Sequence, residues 1–107
     1  MDDSKLETVI ERVKRKLNVT FLDKQTEDRI GKDIIPLCIA SLTDDIGIAD
    51  EDFDWSGTSR ECFLLVEYAF YEWNHASEQF HDDYAEDIAK IRARWEGKSI
   101  EAEVQAV

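Results

Sequence analysis

Cys62-Phe63-Leu64-Leu65-Val66-Glu67-Tyr68-Ala69-Phe70-Tyr71 is the stretch on which the fold turns. Extended forward, it places Cys62, Val66, Ala69, Trp73, Ala76 and Phe80 at alternating spacings of four and three. That is the repeat of one helix face. Because the run is apolar on almost every side, it predicts a helix at the centre of the core, or one that also meets another subunit. Thr58-x-x-Glu61, immediately before it, reads as a capping box that satisfies the free N–H groups of a helix start. The helix is therefore expected from about Ser59.

The segments on either side are also helical in pattern. Ser4-x-x-Glu7 is a second capping box, followed by Leu6, Val9, Ile10, Val13 and Leu17 at helical spacing, so a first helix is expected to about Leu17. Its outer face carries Arg12, Lys14, Arg15 and Lys16, near the end where cations oppose the helix dipole. A second helix starts near Asp23 to Glu27, buries Ile30, Ile34, Leu37, Cys38, Ser41 and Leu42, kinks at Pro36 and stops at Gly47. Beyond Trp73 the chain turns polar. A break near Gln79 to Asp83 and a last helix from Asp83-x-x-Glu86 are expected, with Tyr84, Ile88, Ile91 and Trp95 inward and Gly97 just past its end. From Ser99 the period changes, as Ile100, Ala102, Val104 and Ala106 alternate with Glu101, Glu103 and Gln105. That is strand spacing, and a lone strand is stable only on a partner's sheet edge. The expected fold is all-α: a small bundle of about four helices over residues 1–96, with 97–107 a flexible, extended tail able to form a strand.

Composition narrows the function. The 107 residues suit one domain, and 43% hydrophobic residues with only four Gly and one Pro favour a helical core over a turn-rich β fold. No apolar run approaches the roughly 18 residues of a membrane span, and Met1-Asp2-Asp3-Ser4 is unlike a secretory signal, so synthesis and use in the cytoplasm are expected. Cys38 and Cys62 stand apart in apolar surroundings and read as buried thiols. The net charge of -12 is uneven, because residues 1–33 carry eight bases and eight acids whereas residues 34–107 carry five and seventeen. Between Ile34 and Asp87 the one base is Arg60. Such a surface repels phosphate, so sequence-specific nucleic-acid binding is not expected.

Chemistry-bearing patterns are sparse. Asp50, Asp52, Asp54 and Glu61 fall at positions one, three, five and twelve of the calcium-loop template. However, Trp55 stands where that template needs Gly, Gly57 stands where it needs an apolar residue, and Glu61 also serves the capping box. An ordinary acidic loop is the expectation. Glu72, His75 and Glu78 share a face, which reads as solvated charge rather than a metal site. There is no Gly-rich phosphate loop, HExxH or GxSxG motif, so no enzyme, cofactor or metal is expected.

The order of these segments, with Lys16-Leu17-Asn18-Val19 ending the first helix, an acidic loop, and then Leu64 through Ala76, resembles the head-to-tail connector proteins of long-tailed bacteriophages. Phe80-His81-Asp82-Asp83-Tyr84 through Arg92 is similar to the last helix of the same adaptor family. The likeness spans about residues 6–95 and is strongest in the aromatic stretch with Asn74, Ala76, Phe80 and Tyr84. The dense acids of Asp44 to Asp54 and Pro36 depart from the family pattern. The resemblance implies a virion protein at the head–tail interface, assembled in the host cytoplasm. It would form a homo-oligomeric ring around the DNA channel, between the portal protein and a downstream head-completion or tail protein, without catalytic residues. Free protein is expected as a monomer or weak oligomer. Two sets of contacts are expected: Arg12, Arg15 and Lys16 against Asp50, Asp52 and Asp54 between subunits, and Ile100, Ala102, Val104 and Ala106 against the portal. An acidic lumen would let DNA slide. A second reading, equally suited to size and acidity, is a small acidic inhibitor that mimics DNA, or an antitoxin-like protein, bound to a basic partner.

Overall fold

The computed structural model describes residues 2–18 and 23–105, with residues 98–105 described by backbone alone. Helix α1 spans Asp3–Leu17, and its cap is Asp2 rather than the expected Ser4: Asp2 Oδ1 accepts the Lys5 N–H at 2.8 Å. Aspartate caps as well as serine, and it comes two residues sooner. Asn18 closes the helix at φ 57°, a left-handed position that asparagine tolerates, and donates its N–H to the carbonyls of Lys14 and Arg15.

The second rod runs from Lys24 to Ile46 in three pieces. Helix α2 (Lys24–Asp28) is capped by Asp23, a π-helical segment covers Arg29–Ile34, and α3 spans Ile35–Ile46. Pro36 has no N–H to offer and its ring crowds the preceding turn. The expected kink takes the form of this wide turn just before it, in which Ile35 N–H reaches back five residues to the Ile30 carbonyl. The widened turn holds an extra residue, so the buried stripe steps forward from Ile30 and Ile34 to Ile35, Cys38, Leu42 and Ile46. Leu37, expected in the core, is thereby rotated outward and is 56% exposed. Gly47 ends α3 as expected, at φ 79°, with its N–H and that of Ile48 both on the Thr43 carbonyl.

Helix α4 spans Arg60–Trp73 with Ser59, not Thr58, at the cap position. It buries Glu61, Cys62, Leu64, Leu65, Glu67, Tyr68 and Ala69, while Val66 and Trp73 of the expected seam are half-buried. The single break expected near Gln79 to Asp83 is replaced by two. The first lies at Asn74 to Ala76, where the Asn74 side-chain amide donates to the Phe70 carbonyl at 2.9 Å and His75 takes φ 57°. The second is Tyr84, at φ -111° and ψ 15°, between α5 (Ser77–Asp83) and α6 (Ala85–Gln105).

Helix α6 also overturns the expected stop at Gly97 and the strand beyond it, since Ile100, Ala102 and Val104 lie on helical backbone. Ala106 falls outside the described residues. Lys, Ala, Glu and Gln are strong helix formers, and the about 1 kcal/mol cost of one internal glycine does not stop a helix already propagating. No strand occurs among the described residues.

Helix α4 sits at the centre, packed on α1, on α3 and on α5, while α6 lies along α3. The core joins Val9 and Val13 of α1 to Ile30, Ile35, Cys38, Leu42 and Ile46 of the second rod and to Leu64, Leu65 and Ala69 of α4. Phe80 is fully buried and lies between the rings of Tyr68, 4.4 Å away, and Tyr84, 5.0 Å away. Burial of such a side chain contributes about 2–3 kcal/mol, which explains how a helix as short as α5 is held. Ile91 of α6 and Trp55 of the acidic loop complete the core.

Candidate interaction surface

A groove of about 480 Å³ runs between α1 and α4 and ends on the loop at Gly57, Thr58 and Ser59. Its floor is apolar, made by Cys62, Val66 and the ring of Phe63, which is 41% exposed. Phe63 points outward because α4 already fills the core from its other sides, and Arg60 stacks on it at 4.4 Å. The rim is mainly basic: Arg12, Arg15 and Lys16 of α1 stand along it, with Glu67 of α4 the acid beside Lys16.

Each of these cations is placed differently. Arg12 donates to the Gly57 carbonyl at 2.6 Å, tying the end of the acidic loop to α1. Lys16 pairs with Glu67 at 2.8 Å and lies 5.5 Å over the Phe70 ring. The Arg15 side chain is exposed and, among the described residues, makes no hydrogen bond or ion pair. Glu67 is buried, a position that an acid tolerates only when paired. Its second oxygen accepts the Tyr84 hydroxyl at 3.0 Å, so one carboxylate joins α1, α4 and the α5–α6 corner. Burial, together with that carboxylate, pushes the Tyr84 phenol up to about 12.

The acidic loop spends its carboxylates on its own turns. Asp50 accepts the Asp52 N–H at 2.9 Å, and Asp54 accepts both the N–H and the hydroxyl of Ser56, at 2.9 and 2.6 Å. The Ser56 bonds hold the Asp54 carboxyl below the usual range. Burial drives the Glu61 carboxyl upward, but its own N–H, the Ser59 hydroxyl and the Trp95 indole outweigh it, leaving the group low. Phe53 packs edge-on against Trp55 and Trp95, at 4.8 and 5.8 Å, and so fastens the loop to α6. The four carboxylates of the calcium template do not converge, and no group of three or more metal-ligating side chains forms among the described residues. Glu72, His75 and Glu78 likewise do not gather. Burial pushes the Cys38 thiol up to about 12, and Cys62 is occupied by the Ser59 hydroxyl and the Asp54 carbonyl. Both thiols are free and buried, as expected.

Two of the predicted subunit-contact residues are thus engaged inside one copy: Arg12 holds the loop at Gly57, and Asp54 is approached at 4.0 Å by Lys5, which was not among those predicted. Of the six, Arg15, Asp50 and Asp52 stand clear at the surface. Sequence reasoning placed Leu37 in the core and did not single out Phe63, yet these are the large apolar side chains exposed among the described residues. The signal for Phe63 was present, since a helix apolar on all sides has one side too many for its own core. For Leu37 there was none, because its exposure follows from the wide turn before Pro36. Comparison with models of protein families, with curated proteins and with solved structures finds no match.

Proposed function

We propose that this chain is a structural adaptor that joins a phage portal to the next head-completion or tail protein and works as a ring of identical copies around the DNA channel. The observation that carries the reading is the groove between α1 and α4: an apolar floor under a basic rim, on a molecule whose net charge is -12. A surface of that kind receives an acidic, apolar-tipped protein element, and steers it by charge. The helical fold and the aromatic packing of Tyr68, Phe80 and Tyr84 agree with the connector resemblance. In this reading the protein catalyses nothing, the dense carboxylates keep the channel wall from holding DNA, and the chain resides at the head–tail interface of the virion.

Native mass spectrometry of the chain with the portal protein encoded beside its gene is the decisive experiment. Portal rings carrying several copies of the chain are expected. Portal rings that stay bare, with the chain instead seizing a basic nucleic-acid-binding protein, would replace the adaptor by the acidic mimic.

A further inference from the structure

Among the described residues two large apolar side chains are exposed, and their charged surroundings are opposite. Phe63 lies in the groove beside Arg15, whose guanidinium has no partner among the described residues. Leu37, 56% exposed, stands on the outer face of α3 with Ala40 and Asp44 following at helical spacing and Asp33 one turn before, all of them exposed. The nearby cations do not offset those acids, because Lys32 leans on Asp28 at 3.7 Å and Arg29 covers the Trp73 ring at 4.8 Å. No residue of α3 lines the groove. A chain cannot fill its own groove with its own Leu37, but a second copy can.

We infer that the α1–α4 groove of one copy receives the Leu37 face of α3 from the next, with Leu37 against Phe63 and Val66, and Asp44 or Asp33 against Arg15. The contact is heterologous: each copy uses one surface to give and a different one to take. Such a contact leaves an open groove at one end and an open α3 face at the other, so it propagates until it closes. The occupant is a second copy because, among the described residues, Leu37 is the exposed large aliphatic side chain, flanked by Asp33 and Asp44, and it matches a groove in which Phe63 and Val66 lie beside Arg12, Arg15 and Lys16. The inference deepens the adaptor reading and rests on it for the closed ring; the contact stands on the two surfaces alone.

The heterologous geometry makes a mixing test possible. One variant, Leu37→Glu, loses the knob, and another, Arg15→Glu with Phe63→Ala, loses the groove. Sedimentation equilibrium at about 0.15 M salt, where the Debye length is about 8 Å, should show wild-type association growing with concentration. Each variant alone should associate at least about tenfold more weakly, the effect of losing one buried leucine-sized contact. An equimolar mixture should form dimers and stop there, since each pair retains one intact knob and one intact groove and both outer ends are dead. Circular dichroism checks that each variant folds; should the double variant fail, Arg15→Glu mixed with Asp44→Arg replaces it, with recovered pairing expected. Wild type that stays monomeric at millimolar concentration, a variant that associates like wild type, or a mixture that fails to pair would each overturn the contact. Self-association without portal binding removes the adaptor reading and leaves the contact, while portal binding without self-association does the reverse.

Discussion

His81 has acceptors against both ring nitrogens: the Ser77 carbonyl lies 2.9 Å from Nδ1 and the Asp45 carboxylate 3.0 Å from Nε2. Only the doubly protonated ring donates to both. Burial lowers the pKa, but the Ser77 carbonyl and Asp45, helped by Asp82, outweigh it and hold the group above its ordinary value of 6.5. A raised folded-state value means that the stabilisation is fully present below about 6.5 and is lost as pH climbs through the higher value of the folded protein. Thermal stability should therefore decline on going from pH 6 to 8, and Asp45→Asn should flatten that decline. With His81 42% and Asp45 34% exposed, the difference stays within the about 0–1 kcal/mol usual for surface pairs. An NMR titration of the His81 ring that shows the same midpoint in both proteins would remove the pairing. Glu67 sits at the other extreme of burial. Its replacement by alanine strands the Tyr84 hydroxyl and loosens Lys16, and should cost about 1–3 kcal/mol, read as a lower melting temperature without loss of helical signal. A neutral Glu67→Ala would mean that water replaces the carboxylate freely.

At the level of elements, α6 is where pattern and structure part. Alternation from Ser99 onward was a strand signal, and the chain continues as helix through Gly97 to Gln105. The alternating positions are mostly small, so in the absence of a partner sheet they gain nothing from extension, whereas the local helix bonds are available at once. Deleting residues 98–107 should lower ellipticity per molecule by the share of those eight helical residues. Stability should shift by no more than about 0.5 kcal/mol, because the anchors of α6 are Ile88, Ile91 and Trp95. Unchanged ellipticity after deletion would return the tail to an extended form. The same truncated chain, offered to the portal, reports whether Ile100, Ala102 and Val104 contribute to docking.

For the whole molecule, charge sets how copies meet. Two chains of net charge -12, held about 30 Å apart, repel by on the order of 20 kcal/mol without screening; a Debye length of about 30 Å leaves about 7 of that and one of about 10 Å about 1. Two or three close ion pairs return about 1 kcal/mol each in water. Repulsion wins at low salt, so sedimentation should show more association as salt rises from about 0.01 to 0.1 M. A fall in association over that range would mean that local attraction outweighs net charge. The molecule measures 53 × 30 × 19 Å with a radius of gyration of 14.9 Å, more drawn out than the about 13 Å of a compact chain this long.

The helical class, the span of α1, the central place of α4, the start of the second helix near Asp23, the stop at Gly47 and the buried thiols were all legible in the order of residues. Each follows from local rules: a repeat of three and four, a short polar side chain before it, a glycine free to take positive φ. The break at Asn74 to Ala76 was not legible, because His75, with no glycine or proline near it, takes its left-handed φ to let Phe80 fold back between Tyr68 and Tyr84. Nor was the outward turn of Leu37, which depends on an extra residue in the turn before Pro36. Sequence by itself determined which segments would be helices, since backbone bonding is local. Only the tertiary structure decided which apolar side chains were left over, because that depends on how much surface the neighbouring helices cover, and on that remainder the exposed pair Phe63 and Leu37 rests.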